Sequence, residues 1–212
     1  MPVICPTITA KNSDEYTKQM SEVASYIERI HIDLADGVFA PNKLLPIEDI
    51  WWPVGVIADI HVMYQAVAPF LDDLIQHKPN LIIMHAEAAG NFSELHTKLD
   101  AHNIRIGIAL LADTPVEVIA PILHKLDHVL IFSGDLGYFG GHAKMSQLSK
   151  VRQIKKINPN IEIGWDGGIN EDNVRKLVLG GVDVLNCGGA IHKAPDPHRA
   201  YDTLKMLATK KI

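Results

Sequence analysis

Four polar side chains lie in or at the ends of apolar runs, and their types are those that bind transition metals. His31 and Asp33 lie two residues apart in RIHIDLADG, His61 lies in ADIHVM, and Asp166 lies in IGWDGGIN. Residues two apart on a β-strand point to the same face, and an unpaired polar group is costly to bury. Taken singly, each could be an ordinary hydrogen-bonded polar residue. Together they favour one divalent metal, zinc first and iron, manganese or cobalt next, bound by His31, Asp33, His61 and Asp166.

Glycine pairs follow three successive apolar runs near the C-terminus. They are Gly140–Gly141, Gly167–Gly168 and Gly188–Gly189. Barrel enzymes often hold a phosphate between such loops, using backbone N–H groups that no side chain covers. A single pair is also typical of an ordinary turn, so the repetition carries the interpretation. We therefore expect these glycines to form one phosphate pocket beside the metal.

Short apolar runs alternate with charged, amphipathic stretches along the whole chain. Runs rich in Val, Ile and Leu are typical of parallel strands that are buried on both faces. Eight strand–helix units predict a (β/α)8 TIM barrel, folded as a single domain over 1–212. An open, doubly wound sheet is the competing architecture, but no early Gly-x-Gly-x-x-Gly supports its nucleotide-binding form. The predicted strands are Val3–Cys5, Ile30–Leu34, Val54–His61, Leu81–Met84, Ile104–Leu111, His128–Phe132, Ile161–Trp165 and Val182–Cys187.

Two helices can be predicted in some detail. The segment Asn12–Tyr26 has apolar side chains at helical spacing, including Tyr16, Met20 and Val23. Near the C-terminus, Asn170 is expected to cap a helix that Gly180–Gly181 ends. Both helices would pack their apolar face on the outside of the sheet.

Composition excludes several other classes of protein. The 212 residues are 47% hydrophobic, with a net charge of −5 and a pI of about 6.1. No basic cluster suits a nucleic acid, and no apolar run approaches the ~18 residues that cross a bilayer. The N-terminus does not read as a signal peptide. Cys5 and Cys187 lie in apolar runs and are expected to be reduced, so we expect a cytoplasmic protein. We also expect the protein to be a homo-oligomer.

The motifs as a set resemble the ribulose-phosphate 3-epimerase family over nearly the whole chain. The segments that carry the resemblance are ICPTITA, RIHIDLADGVFAPN, DIHVM, GIALLADTP, FGG, WDGGI and CGGAI. The resemblance implies that the four residues above bind the metal and that Asp33 and Asp166 are also the acid–base pair. It implies a TIM barrel of the ribulose-phosphate-binding type and a phosphorylated sugar as the substrate. The substrate-binding residues would be Thr7, His61, Met63, Gly140, Gly141, Gly167, Gly168, Gly188 and Gly189.

The implied chemistry suits these residue types. Inverting the configuration at C3 of a ketose phosphate begins with removal of the proton next to the C2 carbonyl. A metal can stabilise the resulting enediolate, and two carboxylates can take and return the proton on opposite faces. Ribulose 5-phosphate and xylulose 5-phosphate are the first expected pair of sugars.

Departures from the family pattern fall on the substrate lining. Ala35 and Phe132 stand where the family has methionines, and Gly189 stands where it has serine. The loop from Asp135 to His142 is one residue longer. A hexulose phosphate such as allulose 6-phosphate, or a paralogue that binds metal and sugar phosphate without turnover, therefore stays open. A lyase would be expected to carry a lysine beside the strand-end aspartates, and RIHIDLADG has none.

Overall fold

A computed structural model describes residues 1–138 and 141–210 as a closed barrel of eight parallel strands in sequential order. Each strand pairs with the next, and the eighth pairs with the first. This arrangement confirms the predicted TIM-barrel class. The strands are β1 Val3–Ile8, β2 Arg29–Ala35, β3 Ile57–Met63, β4 Leu81–His85, β5 Arg105–Leu110, β6 His128–Phe132, β7 Glu162–Asp166 and β8 Val184–Cys187.

All eight predicted strands exist, with shifts of up to three residues at their ends. The sixth strand has the predicted bounds. The third was predicted to begin at Val54, but residues 54–56 form a turn before β3 begins at Ile57. The first strand continues past Cys5 to Ile8 because Thr7 and Ile8 pair with His31 and Ile32 of β2. Long-range pairing of this kind leaves little trace in local hydropathy.

Seven α-helices lie in the described part of the chain. Asn12 caps α1 by accepting a hydrogen bond from the Glu15 N–H, and Tyr16, Met20 and Val23 form its buried face, as predicted. The last helix, α7, is capped in the same way by Asp196. The helices are α1 Ser13–Val23, α2 Leu71–Gln76, α3 Phe92–Asp100, α4 Leu148–Ile157, α5 Val174–Leu179, α6 Gly189–His192 and α7 Pro197–Thr209.

Two connections lack the α-helix that a regular strand–helix repeat predicts. Between β2 and β3 there is a single 3₁₀ turn, Ile47–Asp49, and between β5 and β6 there are two 3₁₀ segments, Val116–Val118 and Ala120–Lys125. Both connections are interrupted by prolines, which lack an N–H and clash with the preceding helical turn. Pro41, Pro46 and Pro53 lie in the first connection, and Pro115 and Pro121 lie in the second.

The helix predicted to start at Asn170 begins later than expected. The Asn170 side chain accepts hydrogen bonds from the N–H groups of Asp172 and Asn173, so it caps a turn. Regular helix begins only at Val174, with Asn173 at the capping position. The Asn173 side chain bonds back to this turn, since its amide donates to the Gly168 carbonyl at 2.8 Å and its oxygen accepts from the Asn170 N–H at 2.9 Å.

The barrel separates two apolar cores. Leu81, Ile83, Ala109 and Leu130 form a small cluster inside the barrel, and a much larger cluster fills the space between strands and helices. Alternation along each strand decides which side chains enter the interior. The same alternation puts polar side chains inside at both ends of the barrel, with the apolar cluster between them.

The polar cluster at the N-terminal end of the barrel is built around Arg29. Its Nε donates to Asp59 at 2.6 Å, and its two terminal nitrogens donate to both oxygens of Glu162 at 2.9 Å each. His128 and Arg105 also contact Glu162, at 2.8 and 3.3 Å. Burial would raise the pKa of Glu162, but the hydrogen bonds and charges of Arg29 and His128 hold it well below its usual range. This network closes the bottom of the barrel.

Both cysteines are free and buried, on the neighbouring strands β1 and β8. Burial, and to a smaller extent the Asp166 charge, raise the pKa of the Cys187 thiol. Among the described helices, none combines the length and the apolar character that a bilayer crossing requires.

Replacing Arg29 should destabilise the protein far more than replacing Arg105. The substitution Arg29→Met leaves Asp59 without its cation and removes the two-point contact with Glu162, which keeps only His128 and Arg105. Breaking a buried pair costs about 3–5 kcal/mol. Arg105 is about one-third exposed and makes one longer contact with the same Glu162, so Arg105→Met should cost less than about 1 kcal/mol. Urea unfolding of the two variants measures the difference, and equal losses would contradict the assigned role of Arg29.

Candidate metal centre and active site

The four residues singled out from the sequence meet at the carboxyl ends of the strands. Asp33 and His61 are register partners on β2 and β3, and Asp166 ends β7. His31 lies one alternation below Asp33 on β2, so both side chains enter the barrel interior. One ligand atom from each residue lies within 4.8 Å of all the others. The structure thus brings together the predicted set of His31, Asp33, His61 and Asp166 in a cluster that could hold a metal ion.

The distances within this cluster suit a small cation. His61 Nδ1 lies 2.9 Å from Asp33 Oδ1 and 3.7 Å from Asp166 Oδ2. His31 Nε2 lies 3.3 Å and 3.7 Å from the same two oxygens. Ligand atoms placed tetrahedrally at ~2.1 Å from zinc are about 3.4 Å apart, so the four groups need little movement to bind one ion.

Unpartnered polar atoms give independent support for this fit. His31 is fully buried, its Nδ1 has no hydrogen-bond partner among the described residues, and its Nε2 has only the contacts with Asp33 and Asp166 at 3.3 and 3.7 Å. A buried imidazole without partners is costly unless something binds it. The donor set of two imidazoles and two carboxylates matches that of zinc and its first-row neighbours.

The two carboxyl groups of the cluster have opposite electrostatic environments. Burial would raise the pKa of Asp33, but the close His31 and His61 rings hold it well below its usual range. Burial and the charge of Asp33 raise the pKa of Asp166 to about 7. For His61, burial lowers the pKa to about 4 despite the contact with Asp33. A cation among these groups would lower the pKa of both carboxyl groups.

Two neighbours of the cluster lie outside the predicted set of site residues. Thr9 donates its hydroxyl to the second oxygen of Asp33 at 2.7 Å. His85, which ends β4, places its Nε2 2.9 Å from His61 Nε2. The position of His85 at a strand end was a usable signal, whereas nothing in the ICPTITA segment distinguishes the role of Thr9 from that of Thr7.

A cavity of about 240 Å³ opens beside the cluster and is lined by both Asp33 and Asp166. Gly141, Gly167, Gly168, Gly188 and Gly189 line it as well, so the described glycines of the predicted pocket share one cavity. Gly140, which was predicted to belong to the same pocket, lies outside the described residues. The positive φ angles of Gly141, Gly167 and Gly168 explain why glycine occupies these turns.

Other residues of the cavity wall divide into predicted and unpredicted ones. Thr7 and Met63 were predicted and line the cavity, and Phe132 lines it too. Asn186 and Lys193 were not predicted. The amide of Asn186 is buried, and neither of its polar atoms has a partner among the described residues. The asparagine within the apolar run VDVLNC was a usable sequence signal for a residue on the cavity wall. Nothing in the sequence around Lys193 indicated that this lysine lies on the cavity wall.

The closed parallel barrel, with its polar cluster and glycine-lined cavity at the carboxyl ends of the strands, has the arrangement of (β/α)8-barrel enzymes. The model of the ribulose-phosphate 3 epimerase family matches residues 3–192. The chain belongs to this family, and the expectation of an isomerase is confirmed.

Individual relatives agree with this membership. The chain is 30% identical to the ribulose-phosphate 3-epimerase of Mycobacterium leprae, over 98% of this chain and 95% of that protein. It is 28% identical to the ribulose-phosphate 3-epimerase of Schizosaccharomyces pombe, over 98% and 94%. Among solved structures, 3-hexulose-6-phosphate synthase from Salmonella typhimurium superposes with a TM-score of 0.73 at 12% identity, covering 97% of this chain and 98% of that one. At that identity the likeness concerns the fold alone.

Substituting Gly168 should disrupt the cavity wall more than an equally strained glycine elsewhere. Gly168 has a φ of +70°, and a Cβ there would overlap the backbone of His142 and Ala143. Gly55 has a φ of +90°, but a Cβ there meets nothing within 4 Å. We expect Gly55→Ala to cost about 1 kcal/mol from backbone strain and Gly168→Ala about 3 kcal/mol or more from strain plus overlap. Thermal unfolding of both variants is the measurement, and similar losses would contradict the overlap.

Proposed function

We propose that this protein is a metal-dependent 3-epimerase of a ketose phosphate, with ribulose 5-phosphate and xylulose 5-phosphate as the first pair of sugars. The observation that carries the proposal is the placement of Asp33 and Asp166 on the wall of one cavity. Strands β1 and β8 separate β2 from β7 around the barrel, so the two carboxyl groups approach a ligand from different sides. Inversion at a carbon centre requires such a pair.

The proton transfers follow from this placement. One carboxylate removes the C3 proton, and the electron pair of that C–H bond forms the C2–C3 double bond while the C2 carbonyl oxygen gains negative charge. The carboxyl group on the other face then delivers a proton to C3, and the C2 carbonyl is restored. The roles of Asp33 and Asp166 exchange when the reaction runs in reverse. The Thr9 hydroxyl donates to Oδ2 of Asp33, while Oδ1 faces His31 and His61, so the hydrogen bond fixes the orientation of this carboxylate.

His31, Asp33, His61 and Asp166 would hold the divalent metal, for which zinc is our first choice. When bound, the metal supplies Lewis-acid stabilisation of the oxygen that gains charge at C2. The apolar walls, which include Met63 and Phe132, exclude water from the reacting carbon. The buried position of His31 restricts its ring to one orientation toward the cation.

The phosphate group would bind at the far end of the cavity, where Gly141, Gly168, Gly188 and Gly189 bring backbone close to the ligand. Lys193 lines the same cavity and has the one cationic side chain among its described lining residues. The family has a serine hydroxyl at the position of Gly189, and the contact it could make with phosphate is missing here. We assign to the Lys193 ammonium group part of the compensation of the phosphate charge. The phosphate anchor orients C3 between the carboxyl groups.

We further propose that residues 1–212 act as one domain, in a homo-oligomer located in the cytoplasm. The reduced state of the two buried cysteines is consistent with that compartment.

Removing either carboxylate should nearly abolish epimerisation. Asp33→Asn and Asp166→Asn each keep an oxygen near the metal but cannot accept and return a proton, and positioned acid–base groups contribute about 10²–10⁴-fold. The measurement is incorporation of deuterium at C3 from deuterated water, with metal content assayed on the same samples. Asp36→Asn is the matched control, because Asp36 accepts hydrogen bonds in the next loop and does not line the cavity.

The same assay separates the competing functions. Wild-type exchange on a hexulose phosphate but not on pentulose phosphates would move the substrate assignment to the larger sugar. Tight binding of a ketose phosphate without exchange would support a non-catalytic paralogue. A variant that retains its metal and near-normal turnover would overturn the two-carboxylate mechanism.

Replacing Lys193 should weaken substrate binding without slowing the chemical step. Loss of a charge-assisted contact with phosphate at an exposed position is worth about tenfold in KM for Lys193→Met, with kcat changed less than about twofold because the lysine is remote from C3. Lys18 is the control, since it lies with Lys193 on a neighbouring surface depression but does not line the cavity. An unchanged KM for Lys193→Met would remove the lysine from the phosphate site.

A further inference from the structure

The end of strand β4 contributes a buried polar chain that leads away from the candidate metal centre. His85 is 2% exposed, and its Nε2 lies 2.9 Å from the Nε2 of His61. Its other nitrogen, Nδ1, lies 3.4 Å from Glu87 Oε2. Neither of these last two atoms has another hydrogen-bond partner among the described residues. The contact between them is therefore the one available to both.

Geometry fixes the direction of the hydrogen bonds once His61 binds a cation. His61 Nδ1 faces the carboxylates of Asp33 and Asp166 and is the ligand atom of the cluster. A nitrogen that binds a metal must offer its lone pair, so the ring proton lies on Nε2. His61 Nε2–H then donates to His85 Nε2, and the proton of His85 must lie on Nδ1, facing Glu87. The opposite arrangement, with His61 donating from Nδ1 to Asp33, leaves that nitrogen no lone pair for a cation.

The outer end of this chain is held firmly. The first oxygen of Glu87 accepts from the Leu111 N–H at 3.1 Å and from the Thr114 hydroxyl. Lys150 is buried and donates to the carbonyls of Leu111 and Ala112 at 2.6 and 2.8 Å, which fixes the loop that carries these groups. The ring of Phe39 packs against that of His85 with centroids 4.7 Å apart. None of these contacts is needed to close the barrel, since they lie beyond the strand ends.

We propose that His85 and Glu87 are positioning residues that set the tautomer and ring orientation of His61 for metal binding, an inference that rests on the proposed metal site. Ligating histidines usually donate their second N–H to a carboxylate or a carbonyl, and loss of that partner weakens metal binding about 10–100-fold. Here a second histidine stands between the ligand and the carboxylate. The chain runs from Glu87 through His85 to His61 and ends at the cluster.

A pair of substitutions at His85 tests the hydrogen bond apart from the packing. His85→Gln keeps a side-chain oxygen that can accept from His61, whereas His85→Leu fills a similar volume without an acceptor. The measurement is the Zn²⁺ dissociation constant of the chelator-treated protein. We expect a 10–100-fold weaker affinity for His85→Leu, a change below about threefold for His85→Gln, and an intermediate loss for Glu87→Gln. Met84→Leu, on the same strand, is the packing control and should bind Zn²⁺ as the wild type does.

The tautomers give a second readout that does not depend on any variant folding. In ¹⁵N NMR spectra of the Zn²⁺-loaded wild type, His61 should carry its proton on Nε2 and His85 on Nδ1. The reverse tautomer at His85, or equal Zn²⁺ affinity for His85→Leu and wild type, would overturn the positioning role. If the wild type binds no Zn²⁺ or other divalent metal, the proposed metal site itself fails. Zn²⁺ binding without the predicted differences removes only His85 and Glu87 from the machinery.

Discussion

Polar groups inside the barrel need partners, and this requirement separates the two ends of the molecule. At the N-terminal end, Arg29 pairs with Asp59 and Glu162 at short distances, so the charges compensate one another within the chain. At the carboxyl end, the Nδ1 of His31 has no hydrogen-bond partner among the described residues. Burial and the charge of Asp33 raise the pKa of Asp166, and both carboxyl groups raise the pKa of His31 against the effect of burial. The polar groups at the N-terminal end are paired within the chain, whereas those at the carboxyl end are only partly paired. The carboxyl end is therefore the candidate place for a cation and a ligand to bind.

Much of this organisation could be predicted from the sequence because it depends on local patterns. The spacing of His31 and Asp33 fixes a common strand face, and strand-end positions bring residues from distant segments to one rim once the barrel is assumed. The eight apolar runs were sufficient to place all eight strands. The cap of α1 at Asn12 is likewise a short-range hydrogen bond between a side chain and a nearby N–H.

The features that could not be predicted depend on contacts between distant segments. Thr9 and Asp33 are 24 residues apart and meet only because β1 lies beside β2. His85 ends the apolar run LIIMH in the sequence, but its contact with His61 depends on the register of β3 against β4. Hydropathy and spacing do not encode such pairings.

The four-residue cluster and the cavity wall belong to parts of the fold with different constraints, which explains how the wall could diverge from the family pattern while the cluster is intact. The four cluster residues lie on strands whose register is fixed on both sides, so each side chain has little freedom to move. Ala35, one of the departures from the family pattern, is buried against Met63 and does not itself line the cavity. Phe132, another departure, lines the cavity, and its ring centroid lies 5.8 and 5.9 Å from those of His61 and His85. A rigid aromatic ring at that position narrows the cavity beside both histidines, so this departure changes the shape of the cavity wall while Asp33 and Asp166 keep their places in the cluster.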